Sequence, residues 1–213
     1  MDLKAAVLFT TSLLAIINPV SSAVLFATMA GNYSTRVQQQ MANQSATAIL
    51  IILLVVAWLG NLLLQLLGIT VPMLQAAGGL ILLRYGLRMV TDEETKLTEH
   101  EKEAIEEVPE RLWKTLAVVP LAIPGTVGAG SITTVVIQAS EYSGWRDMAL
   151  ITAICTVMAI VMWIAFRSAG PIARRLGPIG LNIVTRVMGI LVTATAFGLL
   201  GRGVAGLLPG LGR

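Results

Sequence analysis

Two short segments, 110 positions apart, carry the strongest chemical signals in the chain. Asn18-Pro19-Val20-Ser21-Ser22 and Gly128-Ala129-Gly130-Ser131-Ile132 each set helix breakers beside a hydroxyl, deep inside an apolar run. Proline lacks an N–H and clashes with the preceding turn, and repeated glycine removes helix propensity. Each segment therefore predicts an unwound turn or two half-helices. The second half-helix would begin with unpaired N–H groups and a positive dipole end. Ser21 and Ser131 could cap those ends or hold a ligand, within a substrate-binding set of Asn18, Pro19, Ser21, Ser22, Gly128, Gly130, Ser131 and Thr133. The plainer alternative is a proline kink whose serines bond back to the previous turn. The apolar runs contain no Asp, Glu or His. A site without acids disfavours a pure cation, and one without core bases disfavours phosphate. A small zwitterion fits both, its carboxylate on amides and its ammonium on carbonyls and hydroxyls.

Other chemistries are excluded by what the chain lacks. The one histidine, His100, sits in a polar loop and the one cysteine, Cys155, in an apolar run, so no zinc spacing or disulfide framework exists. There is no aspartate pair, Ser–His dyad or HExxH motif, so the chain is not read as an enzyme, and no cofactor or metal is expected. The net charge of +3 forms no basic stripe with interleaved aromatics, which argues against nucleic acid as a partner. Gln75, Gln138, Thr133, Thr134, Asn182 and Thr185 read as interhelical hydrogen-bonding groups. Ala76-Ala77-Gly78-Gly79 and Gly189 read as close-packing surfaces.

The elements that must position these residues are membrane spans. Of the 213 residues, 55% are hydrophobic and only 13% charged, about half the usual share for a soluble domain. Nine of the twelve acids lie between Asp92 and Glu110, and residues 5–35, 37–83, 115–140, 148–166 and 187–201 are free of charge. A crossing takes about 20 apolar residues. Six spans follow, near 5–30, 43–67, 72–90, 115–140, 147–167 and 182–205, with the long second window broken at Gly68-Ile69-Thr70-Val71-Pro72. Trp113 and Trp145 bracket the fourth span as interfacial anchors. Thr91–Trp113 is the sizeable polar loop, where Thr98 and Glu101 form a capping box and Pro109 stops the short helix. It reads as a solvated linker. Lys and Arg divide eleven to four between the two faces, which places the eleven-base face in the cytoplasm and both termini outside.

The linker leaves three spans on either side, so a duplicated unit must insert upside down. The expected organisation is a first three-helix repeat over 1–90, a charged cytoplasmic linker over 91–114 and a second repeat over 115–213. This is an all-α integral membrane fold, an inverted 3+3 repeat with helices one and four interrupted. Asn18-Pro19-Val20, Pro120–Pro124 through Gly128–Thr134, and Gly180–Gly189 resemble the signatures of the MarC family of bacterial inner-membrane proteins, across nearly the whole chain. That family carries Gly where Ser21 stands, Pro where Ala129 stands and a bulky apolar residue at Gly125, so backbone freedom differs at the proposed breaks. The resemblance implies a plasma-membrane transporter or facilitator for a small neutral amino acid. Membrane lipids and a zwitterionic solute are its expected partners, and a homo-oligomer is compatible with it. The alternatives are a lipid-handling protein that moves an anionic headgroup with Arg84 and Arg186 as secondary, cytoplasmic-side contacts, and a non-transporting membrane partner.

Overall fold

A computed structural model describes residues 1–31, 33–91, 117, 122, 126–142 and 144–208, and in it the described chain folds into helices. The first apolar run is two helices, α1 (Leu3–Ile17) and α2 (Pro19–Ala30), separated by Asn18 alone. Asp2 starts α1 by accepting the Ala5 N–H at 2.7 Å. α3 (Thr35–Leu67) begins eight positions before the expected span, because the polar turn Gln38-Gln39-Gln40 continues the helix out of the apolar stretch. At ~1.5 Å per residue its 33 residues reach about 50 Å, well beyond a hydrocarbon core of about 30 Å. α3 ends at Gly68, whose φ of 66° is the left-handed conformation that closes a helix end. Thr70 then caps α4 (Val71–Val90), accepting the Met73 N–H at 3.4 Å. This is the tight uncharged turn expected from Gly68 to Pro72.

The second half follows as α5 (Ala129–Glu141), α6 (Trp145–Arg167) and α7 (Ala169–Leu207). α7 begins thirteen positions before the expected span at 182. Its early part is set off by Gly177 (φ 60°, ψ 178°), a conformation suited to the glycine that precedes Pro178. Four stretches are long and apolar enough to cross a membrane: Leu3–Ala27, Thr35–Leu67, Trp145–Arg167 and Asn182–Leu207. The expected linker helix, with Thr98, His100, Glu101, Pro109 and Trp113, lies outside the described residues, as does most of 115–125.

The packing leaves the outer surface as apolar as the core, in the manner of a membrane protein. Trp58, Leu66, Leu67, Ile179, Ile190 and Phe197 face outward, an apolar exposure that a soluble monomer rarely carries. Inside, Leu13, Ile17, Met29, Ile49, Leu53, Ile151, Met162 and Phe166 form one core, with Phe26 stacked on Phe166 at 5.1 Å between ring centroids. Two pairs of helices lie against each other antiparallel, α3 with α6 and α4 with α7. α3 meets α6 through Trp58 Nε1 donating to Thr152 Oγ1 (3.2 Å) and Trp163 Nε1 donating to Asn43 Oδ1 (2.8 Å). α4 meets α7 along a seam of small residues, from Pro72 against Gly206 through Ala76 against Gly203 to Met89 against Gly189. A Cβ on Gly79 would sit 3.0 Å from the Ala196 carbonyl oxygen, and one on Gly189 would sit 3.0 Å from that of Gly86. Those glycines are needed for the close approach, as expected of Gly79 and Gly189.

Candidate functional site: two helix interruptions and an outer cavity

The first interruption is complete in itself. Asn18 is the sole non-glycine residue with positive φ (46°) among the described residues, a conformation that Asn tolerates better than most. Its N–H donates to the Leu14 carbonyl at 2.9 Å, closing α1. Its Oδ1 accepts the Ser21 N–H at 3.3 Å and its Nδ2 donates to Ser21 Oγ at 2.7 Å. Pro19 opens α2, where a missing N–H costs nothing. Ser22 Oγ donates back to the Ile17 carbonyl at 3.0 Å. Ser21 Oγ lies 3.1 Å from Thr185 Oγ1 of α7, the one interhelical hydroxyl contact anticipated for Thr185. The cap of α2 is therefore Asn18 and not Ser21, because the left-handed turn swings the amide over the Ser21 N–H.

The second interruption is left open. Gly128 enters α5 in an extended conformation (φ −92°, ψ −177°), and among the described residues no side chain caps the helix. Just before it, the Val127 N–H reaches the Ala122 carbonyl at 2.9 Å, a widened i→i−5 turn. Ser131 does not cap either. Its hydroxyl is fully buried and has no hydrogen-bond partner among the described residues, whereas buried hydroxyls are paired in the large majority of cases. Thr134 Oγ1 donates to the Gly130 carbonyl at 2.9 Å. Thr133 is buried against Gly78, where a Cβ would collide with its side chain.

The two interruptions come together. α5 runs antiparallel to α1, and its first turn meets the last turn of α1. A Cβ on Gly130 would lie 3.5 Å from Ile16 Cγ2, and it would overlap Leu82 of α4. Asn18, Ser22, Gly130, Ser131 and Thr133 are all buried at this level. Arg84 and Arg186 are not part of it, since both side chains are exposed on α4 and α7.

Above this level a cavity of about 300 Å³ opens between α1, α5 and α7. Ser12, Thr134, Gln138 and Thr195 line it, together with Glu141 and Arg202. Glu141 Oε1 accepts from Gln75 Nε2 at 3.1 Å, and Arg202 Nε donates to the Gly198 carbonyl at 3.3 Å. Neither Glu141 nor Arg202 stood out in the sequence, where each is a charge at the end of a span. One signal could have found them. Thr134 and Glu141 are seven apart, as are Thr195 and Arg202, so each hydroxyl shares a helix face with a charge two turns on. The chain start closes the same end of the bundle: the Met1 ammonium pairs with Asp147, and Gln138 Nε2 donates to Met1 Sδ at 3.0 Å.

Apolar side chains turned outward around an apolar core that holds a few buried polar groups define an integral membrane protein. The chain belongs to the MarC family of integral membrane proteins, whose model matches residues 3–208. It is similar to an inner-membrane MarC protein of Escherichia coli, 31% identical with 89% of each chain covered. It is also similar to a UPF0056 membrane protein of Methanocaldococcus jannaschii, 32% identical over 98% of this chain and 100% of the relative. A third relative, a UPF0056 membrane protein of Buchnera aphidicola, is 28% identical over 99% of this chain and 96% of the relative. No solved structure matches.

Proposed function

We propose that this protein is a secondary transporter or facilitator of the bacterial inner membrane for a small neutral amino acid or a similar small solute. The observation that carries this reading is the start of α5: among the described residues, the buried Ser131 hydroxyl in its first turn has no hydrogen-bond partner and no side chain caps the helix, whose Gly130 packs against Ile16 of the last turn of α1. The first N–H groups of α5 have no acceptor within their own helix. A substrate carboxylate there gains charge-assisted bonds of about 1.5–3 kcal/mol each. Breaks of this kind belong in protein or in a watery cavity, never in lipid. The name of the E. coli relative, an inner membrane protein, supports the location, and the eleven-to-four division of Lys and Arg supports termini on the outer side.

The inverted 3+3 repeat belongs to the same proposal, and the α4–α7 seam supports it. A two-fold axis in the membrane that relates residue i to i+110 sends the pair Gly79–Ala196 to Gly189–Gly86. Both pairs are contacts, each at 3.0 Å from glycine Cβ position to carbonyl oxygen. The same operation sends Gly79–Leu200 to Gly189–Val90, and both of these pairs also touch. Antiparallel pairing of α3 with α6 and of α1 with α5 supports the same reading, since such an axis would pack equivalent helices antiparallel.

The test is counterflow. Proteoliposomes loaded with unlabelled alanine, glycine, serine or threonine are expected to accumulate the labelled amino acid outside. Scrambling of a labelled anionic lipid without counterflow, abolished by Arg84→Ala or Arg186→Ala, would transfer the function to lipid handling.

A further inference from the structure

The cavity between α1, α5 and α7 holds one acid and one base that do not pair with each other. Among the described residues the ion pair is that of Met1 with Asp147, and Glu141 and Arg202 have none. Glu141 keeps one oxygen on Gln75, and Arg202 keeps its Nε on its own helix. Opposite charges at the rim of one cavity, each held from behind by a neutral group, leave a carboxylate and a guanidinium facing the same space. At about 300 Å³ this space is at the small end of ligand sites, which run from ~300 to ~1,000 Å³.

We propose that this cavity is a second binding site, which recognises the zwitterionic head of an α-amino acid before it reaches the buried interruptions. Arg202 takes the carboxylate, for which a guanidinium is the best-matched side chain. Glu141 takes the ammonium, with Gln138 beside it. A carboxylic acid alone meets the charge of Glu141 uncompensated, and an amine alone meets that of Arg202. Selection thus requires both ends of the ligand. The hydroxyls of Ser12, Thr134 and Thr195 line the same cavity. Thr134 and Thr195 stand about 10 Å along their helices from the two charges. Thr134 bonds the carbonyl of Gly130, so the cavity ends one helical turn from the open start of α5. As a step toward that start, the site rests on the transport reading; as a binding site it is measurable without it.

The experiment uses purified full-length chain in detergent with Cys155→Ala and a reporter Ser12→Cys in the cavity wall. Labelling of the reporter by a maleimide is followed against L-alanine, propionate and ethylamine. L-Alanine is expected to protect, while propionate and ethylamine need at least about tenfold more, the factor that corresponds to losing one charge-assisted bond. Glu141→Gln and Arg202→Gln should each raise the half-protecting alanine concentration by about tenfold or more, and Arg202→Lys by less. Should Glu141→Gln fail to fold, the comparison among the three ligands on the unaltered cavity decides alone. Equal protection by all three ligands, or half-protection unmoved in both charge variants, overturns the proposal. Protection by alanine in a chain that gives no counterflow leaves this site standing and removes the transport reading. Counterflow without protection does the reverse.

Discussion

The two helix interruptions look equivalent in sequence and are opposite in their hydrogen bonding. At Asn18 the backbone N–H closes α1 while the side chain caps α2 and ties down Ser21, and Thr185 takes the remaining hydroxyl contact. Gly128 has no side chain to do any of this, and Ser131, the counterpart of Ser21 under the 110-residue shift, is buried without a hydrogen-bond partner among the described residues. A break that satisfies its own polar groups is a structural hinge point with little left to offer a ligand. A break that leaves them open has its binding capacity intact. On the proposed transport reading, the asymmetry favours the start of α5 as the place where the solute binds, with the Asn18 turn holding the opposing wall.

Five substitutions at four positions separate these roles, all read as unfolding free energy of the solubilised protein. Gly130→Val has the largest effect, because its first carbon already overlaps Leu82 and sits 3.5 Å from Ile16. Overpacking there should cost about 3 kcal/mol and push the two breaks apart. Asn18→Ala follows at about 2 kcal/mol, since alanine neither caps nor favours positive φ. Asn18→Gly keeps the backbone conformation and should recover most of that loss. Ser21→Ala removes two hydroxyl contacts and should cost about 1 kcal/mol. Ser131→Ala is smallest and reversed in sign: it deletes an unpaired buried hydroxyl and should leave the protein unchanged or up to about 1 kcal/mol more stable. Equal losses at Ser21 and Ser131 would dissolve the distinction between the breaks.

Much of this was legible in the residue order, and the part that was not has identifiable causes. Asn18-Pro19 announced the break between α1 and α2, and Gly128 the start of α5, but Ala129 and Gly130, expected to be non-helical, lie within α5 because a helix N-terminus tolerates glycine where its neighbours pack closely. Small residues at 76–79 and 189 announced close packing, though not that they form one seam with Gly203 and Gly206. Which residue caps α2 was hidden, because Asn18 and Ser21 are both good caps, and the choice depends on a left-handed turn that sequence does not display. The helical start of α3 at Thr35 was hidden because a polar helix outside the membrane carries no apolar signal. Glu141 and Arg202 were hidden for a different reason. They are far apart in sequence and become one cavity wall only when α5 and α7 flank α1. That Ser131 has no partner among the described residues was beyond reach of the sequence, for it depends on every neighbour in the fold.

The open start of α5 is tested most directly by amino-acid counterflow of Ser131→Ala in proteoliposomes, with Ser21→Ala in parallel. A binding role for the Ser131 hydroxyl predicts that Ser131→Ala melts no lower than the parent chain yet loses at least about tenfold in counterflow at low substrate. Ser21→Ala should melt lower and still exchange substrate. Parental counterflow by Ser131→Ala, or a loss of stability as large as that of Ser21→Ala, would contradict the assignment of the solute to the Gly128 break.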